Sequence, residues 1–410
     1  MNSTSAASAS EEARGPKLGF GIALGFLSAL GPFAIDLYLP AMPHMAGALG
    51  ASDSGVQRTL SAFFFGLAVA QIPIGSLADR FGRKGPLMGG LCLFIAASIA
   101  CAFAATLEQL VLLRFLQGMG ACAGTSSARA IIRDLHRGHH AARLMAFTFL
   151  IIGISPMLAP LLGSTLLHIV SWRGLFGLLA TAGVIAALCV MLFLPETLPP
   201  ALRTADWRSL PHIHGRLLRT PRFVGWAIVA GLATTVPFAF VTAAPFIYSG
   251  VYRLPPLWFS LLLALNACMS IVATQAAPHL LKRFGAVRLA GSAGAVALGA
   301  TLLVTLAGSR GIPIVLFQAY SVLLFMIAGL VLTPAATSAL DSVRSGIGAA
   351  AGLLGTIQLA VTALASAAVT LWPPVSLLPL TSVLGAAFAA MVIIVALLGR
   401  LPADEESNPI

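Results

Sequence analysis

GSLADRFGRKGPL, residues 75–87, places Asp79, Arg80, Arg83 and Lys84 within six positions. On either side of it lie the apolar runs 55–78 and 86–106. A helix needs about 20 apolar residues to cross a bilayer, so the stretch reads as a short charged loop between two membrane spans. The whole chain repeats this alternation. Of its 410 residues, 58% are hydrophobic and 9% charged, with a mean hydropathy of +0.95, whereas a soluble domain carries roughly 25% charged residues. The composition is that of an all-α, polytopic membrane protein.

Twelve spans are expected, at 18–43, 55–78, 86–106, 109–132, 144–168, 172–194, 223–247, 257–280, 287–307, 311–336, 347–370 and 376–399. The longest polar interval, 195–222, is rich in Arg and Pro and divides them six and six. The expected organisation is therefore an N-terminal half at 18–194, a linker at 195–222 and a C-terminal half at 223–400. Residues 1–17 are Ser- and Ala-rich, lack the apolar core of a signal peptide and read as a disordered tail. Residues 401–410 read as a second, solvated tail. With the N-terminus inside, the inner segments hold eighteen of the 24 Lys and Arg. The outer segments hold Arg58, Arg173, Arg253 and Arg310, while Arg114 and Arg129 fall inside spans. That bias sets the expected orientation, both termini cytoplasmic, and accounts for the +11 net charge without any nucleic acid. The halves also echo each other: LLKRFGAVRL, 280–289, repeats the RFG of the first loop 203 residues later, between spans eight and nine. Such parallel repeats occur in transporters that rock about a central site.

Charges inside the spans are the next signal. FAIDLYLPAMP, 33–43, carries Asp36, the only charge between Lys17 and Asp53. RFLQGMGACAGTSSARAIIRD, 114–134, carries Arg114. At helical rise, the two lie roughly 10 Å and roughly 9 Å inside the outer ends of their spans. A charge in the bilayer costs at least ~2.5 kcal/mol, so such groups face a cavity or a partner. Asp36 and Arg114 are accordingly expected to face one central cavity as a proton-coupling pair, with Gln117 one turn from Arg114. Tyr38, Phe240, Tyr248, Asn266 and Gln358 are the other residues expected to bind substrate. Gly118, Gly120 and Gly124 fit close helix packing better than any nucleotide site.

The loop 75–87 matches, at every defined position, the G-x-L-A-D-R-x-G-R-K-x-x-L loop of the major facilitator superfamily, which it is therefore held to resemble. That resemblance implies a conformational latch of Gly75, Asp79, Arg80, Gly82 and Arg83. On this reading Asp79 faces a helix N-terminus and Arg83 pairs with Asp134 at the end of span four. The segment 114–134 resembles the Arg-containing fourth-span motif of proton-coupled drug antiporters. GISPMLAPLLGS, 153–164, resembles their fifth-span motif in part, with Ala159-Pro160 and Gly163-Ser164 where Gly-Pro and Gly-Gly are usual. Gly153, Pro156, Pro160 and Gly163 are thus the expected hinge. With DLYLPAMP, AAPFIY (243–248) and GLLGTIQ (352–358), these stretches resemble the bicyclomycin/chloramphenicol resistance (Bcr/CflA) branch.

The branch implies twelve helices in two pseudo-symmetric halves of a major facilitator fold. It also implies proton-driven export of small amphipathic molecules or antibiotics across the inner membrane. An uptake symporter for a nucleoside- or amino-acid-like solute is the rival within transport. A membrane enzyme would need clustered acids or histidines at a membrane face, and most of the thirteen Asp and Glu lie in loops and tails. The chain is expected to be monomeric, with no cofactor beyond the coupling proton. Cys92, Cys101, Cys122, Cys189 and Cys268 have no CxxC spacing and read as small core side chains. His136, His139 and His140 read as a solvated basic loop, not a metal site.

Overall fold

The computed structural model describes residues 18–135, 138–200, 203, 210–308, 311–343, 347–372 and 376–401. The expected N-terminal tail, 1–17, all of the expected C-terminal tail 401–410 except Leu401, and most of the linker's centre lie outside these residues. Twelve long helices run through the described chain: α1 (Leu18–Asp36), α2 (Asp53–Phe81), α3 (Lys84–Ala102), α4 (Leu107–Leu135), α5 (Gly138–Leu166) and α6 (Trp172–Phe193), then α7 (Pro221–Phe246), α8 (Pro256–Phe284), α9 (Ala286–Gly308), α10 (Ile314–Asp341), α11 (Ile347–Val369) and α12 (Leu378–Leu398). Ten are long and apolar enough to cross a membrane, α1 through its continuation Met42–Ala48; α5 contributes the shorter apolar piece Ile151–Leu166. A nine-residue helix, Leu210–Leu218, lies between the halves. In a bilayer every backbone polar group must be satisfied internally, which favours long helices with short connections.

The helix ends follow from local chemistry. Ser52 accepts from the Gly55 N–H at 3.1 Å and starts α2, with Asp53 in the first turn. α2 stops at Gly82, whose φ of +95° an L side chain rarely adopts. Its repeat partner Gly285, 203 residues on, stops α8 with φ +74°. The side chains flanking these glycines match as well. The Arg80 guanidinium lies 5.2 Å from the Phe81 ring, and Arg283 lies 5.3 Å from Phe284.

Small residues set the helix spacing. A Cβ at Gly118 would collide with the carbonyl of Phe63, one at Gly66 with that of Phe115, and one at Gly163 with that of Leu37. These contacts lock α2 to α4 and α1 to α5, as small residues do where no hydrophobic effect separates helix from lipid. Between the halves, α2 packs on α11 and α5 on α8. Two hydrogen bonds cross there: Ser61 Oγ to Ser366 Oγ at 3.0 Å, and Ser260 Oγ to the Pro160 carbonyl at 3.0 Å. Both lie toward the end of the bundle remote from the α2–α3 loop. An edge-on pair, Phe64 and Phe238 at 4.8 Å, joins α2 to α7 nearer the middle.

Candidate functional site

Asp36 lines a cavity of about 210 Å³ close to the midpoint of the helices. α1 and α5 of the first half supply one wall, with Pro32, Ile35 and Asp36 facing Gly153 and Pro156. α7, α8 and α10 of the second half supply the other, including Phe238, Val241, Ser270 and Phe325. The contributions of α1 and α7 are related by sequence: PFAID, 32–36, and PFAFV, 237–241, are offset by 205 residues. Pro32 and Pro237 are equivalent, and Asp36 stands where the second half has Val241. The α1 and α7 walls of the cavity are therefore related by sequence and differ in charge. Asp36 is its only charged lining residue and makes no hydrogen bond or ion pair with any described residue. Pro32, Pro156 and Pro237 each lack an N–H and leave a carbonyl one turn earlier without its helical donor, so three wall helices have a weak point at the cavity.

Arg114 does not complete an ion pair with Asp36, which corrects the expectation of a shared, cavity-facing pair. Its guanidinium is fully buried behind α1, 4.4 Å from the ring centres of both Tyr38 and Phe63 and 5.8 Å from that of Phe176. Nη1 donates to Gln117 Oε1, and Gln117 Nε2 donates to Ser98 Oγ at 2.7 Å. Nε and Nη2 have no hydrogen-bond partner among the described residues. The geometric cause is helical. At 100° per residue, positions 36 and 38 lie on opposite sides of the chain, so Asp36 turns to the cavity and Tyr38 to α4. The Tyr38 hydroxyl meets Thr59 Oγ1 at 3.1 Å. Arg114 thus touches Tyr38, two residues beyond Asp36, and not Asp36 itself.

The remaining substrate candidates form a separate cluster in the second half. Tyr248 donates to Gln318 Oε1 at 2.6 Å, while Gln318 Nε2 and Ser321 Oγ donate to Asn266 Oδ1 at 2.8 and 3.1 Å. Phe240 is buried against Tyr248, Phe317 and Phe325. Gln318 and Ser321 are the 204-residue counterparts of Arg114 and Gln117. The second half thus holds a neutral version of the same buried polar centre. Gln358 is half-buried on α11 beside Gly231. Of the eight substrate-binding candidates, Asp36 alone lines the cavity; Tyr38, Arg114, Gln117, Phe240, Tyr248, Asn266 and Gln358 do not.

At the loop end, Arg83 Nη1 meets Asp79 Oδ1 and Nε meets Asp134 Oδ2 at 2.7 Å. Thr197 Oγ1 also donates to Asp134, at 3.2 Å. Arg80 is exposed outside this ion-pair cluster, and a Cβ at Gly75 would touch nothing. The helix N-terminus expected to face Asp79 is taken instead by Glu196. Its carboxylate accepts from the backbone N–H of Arg83 (2.8 Å) and Lys84 (3.2 Å) at the start of α3, and from Thr197 and Leu198. A Cβ on Gly82 would collide with it. Lys84 Nζ in turn donates to the Leu194 carbonyl at 2.9 Å, beyond the end of α6. Burial pushes the Glu196 carboxyl up, but the four backbone donors outweigh it and hold it below the ordinary value of 4.5. A carboxyl lowered on folding stabilises fully above its unfolded pKa and loses that contribution as pH falls through the folded value. The wild-type melting temperature is expected to drop on acidification below about pH 4.5, with Glu196→Gln starting lower and dropping less. Parallel curves for the two proteins in a pH series would assign the effect elsewhere.

The Major Facilitator Superfamily model matches residues 24–366. The chain belongs to the major facilitator superfamily. It is 32% identical over 361 residues to the uncharacterized MFS-type transporter YdgK of Bacillus subtilis, covering 85% of this chain and 88% of that one. It is 31% identical over 258 residues to the multidrug resistance protein MdtL of Escherichia coli, covering 63% of this chain and 65% of that one. A bicyclomycin resistance protein homolog of Haemophilus influenzae is 28% identical over 268 residues, covering 65% of this chain and 67% of that one. These relatives agree with the Bcr/CflA resemblance of the motifs. The fold also matches the D-xylose-proton symporter, with a TM-score of 0.70 at 14% identity, over 96% of this chain and 99% of that one. The chain is a multi-pass membrane transporter.

Proposed function

We propose that the chain is a proton-driven efflux antiporter that exports small amphipathic molecules across the cytoplasmic membrane. The observation that carries this reading is the lone carboxylate of Asp36 in an otherwise uncharged, mostly apolar cavity where the two halves meet. An amphipathic solute gains from the apolar walls, and proton and solute compete for the one charged group. Rocking of the halves presents that group to each side in turn. The inter-half bonds at Ser61–Ser366 and Ser260–Pro160 then belong to a state closed at the far end. On this reading Pro156 and Pro160 let α5 flex, and the Arg83 cluster latches the loop end. The Lys and Arg bias puts both termini in the cytoplasm, and one chain suffices. The multidrug and bicyclomycin resistance relatives support export. One proton crossing ~100 mV supplies roughly 2.3 kcal/mol, enough for a gradient of a few tens-fold at about 1.4 kcal/mol per tenfold.

Proteoliposomes with an imposed pH gradient and a panel of amphipathic compounds test the proposal. Addition of a substrate should release protons from the acidic side, and everted vesicles should accumulate it while right-side-out vesicles expel it. Accumulation by right-side-out vesicles would replace export with uptake. Substrate movement with no proton flux would remove the coupling.

A further inference from the structure

A second groove opens on the bundle surface at the loop end, between α7 and α12, with a volume of about 500 Å³. Val224, Ile228, Ile394 and Leu397 line its body, and Arg219 and Arg400 stand at its rim. Both arginines are exposed, and neither side chain has a hydrogen-bond or ion-pair partner among the described residues. No described acid lines the groove. Its walls are fixed to each other: Arg222 Nη2 donates to the Leu401 carbonyl at 3.2 Å, and a Cβ on Gly225 would come within 2.7 Å of Leu398. The rim also receives the start of the 26-residue α7, whose first turn has no side-chain cap; the Thr220 hydroxyl donates to the Arg216 carbonyl at 3.2 Å. Uncapped N–H groups at a helix start favour an anion.

A groove of similar size on the opposite end provides the contrast. Between α2 and α4, about 520 Å³ is lined by Leu107, Val111 and Phe115, but there Arg58 is accompanied by Glu108. That groove is electrically balanced, whereas the one at Arg219 and Arg400 is purely cationic. An apolar channel ending in two unpaired arginines at the level of a membrane surface has the shape and charge of a phospholipid with an anionic headgroup. Basic pockets between membrane helices recognise such headgroups.

We propose that the α7–α12 groove binds one anionic phospholipid, its phosphate between Arg219 and Arg400 and an acyl chain against Val224, Ile228 and Ile394. Titration of the full chain in detergent with phosphatidylglycerol and with phosphatidylcholine of the same acyl chains, read by native mass spectrometry, tests this. Phosphatidylglycerol should bind roughly thirtyfold more tightly, the preference that two arginines give at a headgroup. Arg219→Gln with Arg400→Gln should bring the two lipids to parity, with an unchanged melting temperature in phosphatidylcholine. Ile228→Trp, which fills the channel, should weaken both. Equal binding of the two lipids to the wild type would overturn the proposal, as would a preference that survives the double substitution. Inorganic phosphate that displaces phosphatidylglycerol at equal concentration would reduce the site to a free-anion site and also overturn it. Phosphatidylglycerol binding that emerges only after removal of 402–410 would assign the arginines to Asp404, Glu405 and Glu406 of the tail, with the same result.

Discussion

Asp36→Asn is expected to abolish proton-driven accumulation while substrate still exchanges down its own gradient. Asparagine keeps the size of the side chain and its capacity to hydrogen-bond, so the cavity keeps its shape and its apolar walls. What it loses is the group that can carry a proton. No other lining residue can replace it, since Ser270 is the one further polar side chain there and does not titrate in the physiological range. Binding and coupling therefore separate: solute still enters the cavity, but its passage is no longer tied to a proton moving the other way. The steady-state gradient should fall from a few tens-fold to unity, measured in proteoliposomes at a membrane potential held near ~100 mV, with counterflow as the control. An Asp36→Asn protein that still builds a proton-dependent gradient at the wild-type rate would sink the assignment of Asp36 as the coupling group.

The parts of this protein that were legible in the sequence are those that the membrane dictates. Run length, the rarity of charge and the RFG echo point to two six-helix halves because lipid permits few alternatives. Arg83 and Asp134 were legible as partners because a short loop and a helix end on the same side bring them within reach, whereas Asp79, expected at a helix N-terminus, joins Arg83 instead and Glu196 takes that N-terminus. The charged machinery inside the bundle was less so. Asp36 and Arg114 lie at similar depths, yet depth does not give the rotation of a helix about its axis, and rotation sends Asp36 to the cavity and Tyr38 to the guanidinium. Phe63, which covers Arg114, looks like any other apolar residue of α2. The walls of the cavity are silent for the same reason: Pro32, Val241 and Phe325 have nothing that distinguishes them from lipid-facing residues. Glu196 lies two residues beyond span six in PETLPP, and two of its four backbone donors, Arg83 and Lys84, come from a loop 113 and 112 residues earlier, which no local pattern encodes. The one signal that could have found the cavity is the repeat itself, because aligning PFAID with PFAFV isolates Asp36 as the position where the halves differ in charge.

Arg114→Met is expected to melt at or above the wild-type temperature and to lose at least tenfold in transport. The guanidinium is wholly buried, with one of its nitrogens bonded to Gln117 and two without a partner. Each orphaned donor costs ~1–3 kcal/mol and taking the charge out of water costs several kcal/mol more, while each desolvated cation–π contact, with Tyr38 and with Phe63, returns about 2 kcal/mol. The sum favours removal. Methionine is nearly as long, carries no donors and makes sulfur–aromatic contacts with the same rings; Gln117 keeps its bond to Ser98, and its Oε1 becomes one orphaned group in place of the two on the guanidinium. Stability therefore does not explain why a charge sits here. Positioning does: the ring of Tyr38 lies against the guanidinium two residues from Asp36, so a shift of α1 relative to α4 changes that contact and the setting of the carboxylate together. Methionine keeps the packing without the electrostatic hold, whereas Arg114→Lys keeps a charge but not the planar group that reaches two rings and Gln117 at once, and should be intermediate. Thermal unfolding in detergent and transport in proteoliposomes measure the two effects separately. A Met variant that melts well below wild type would make Arg114 a structural residue, and one that transports at the wild-type rate would free Asp36 from any dependence on it.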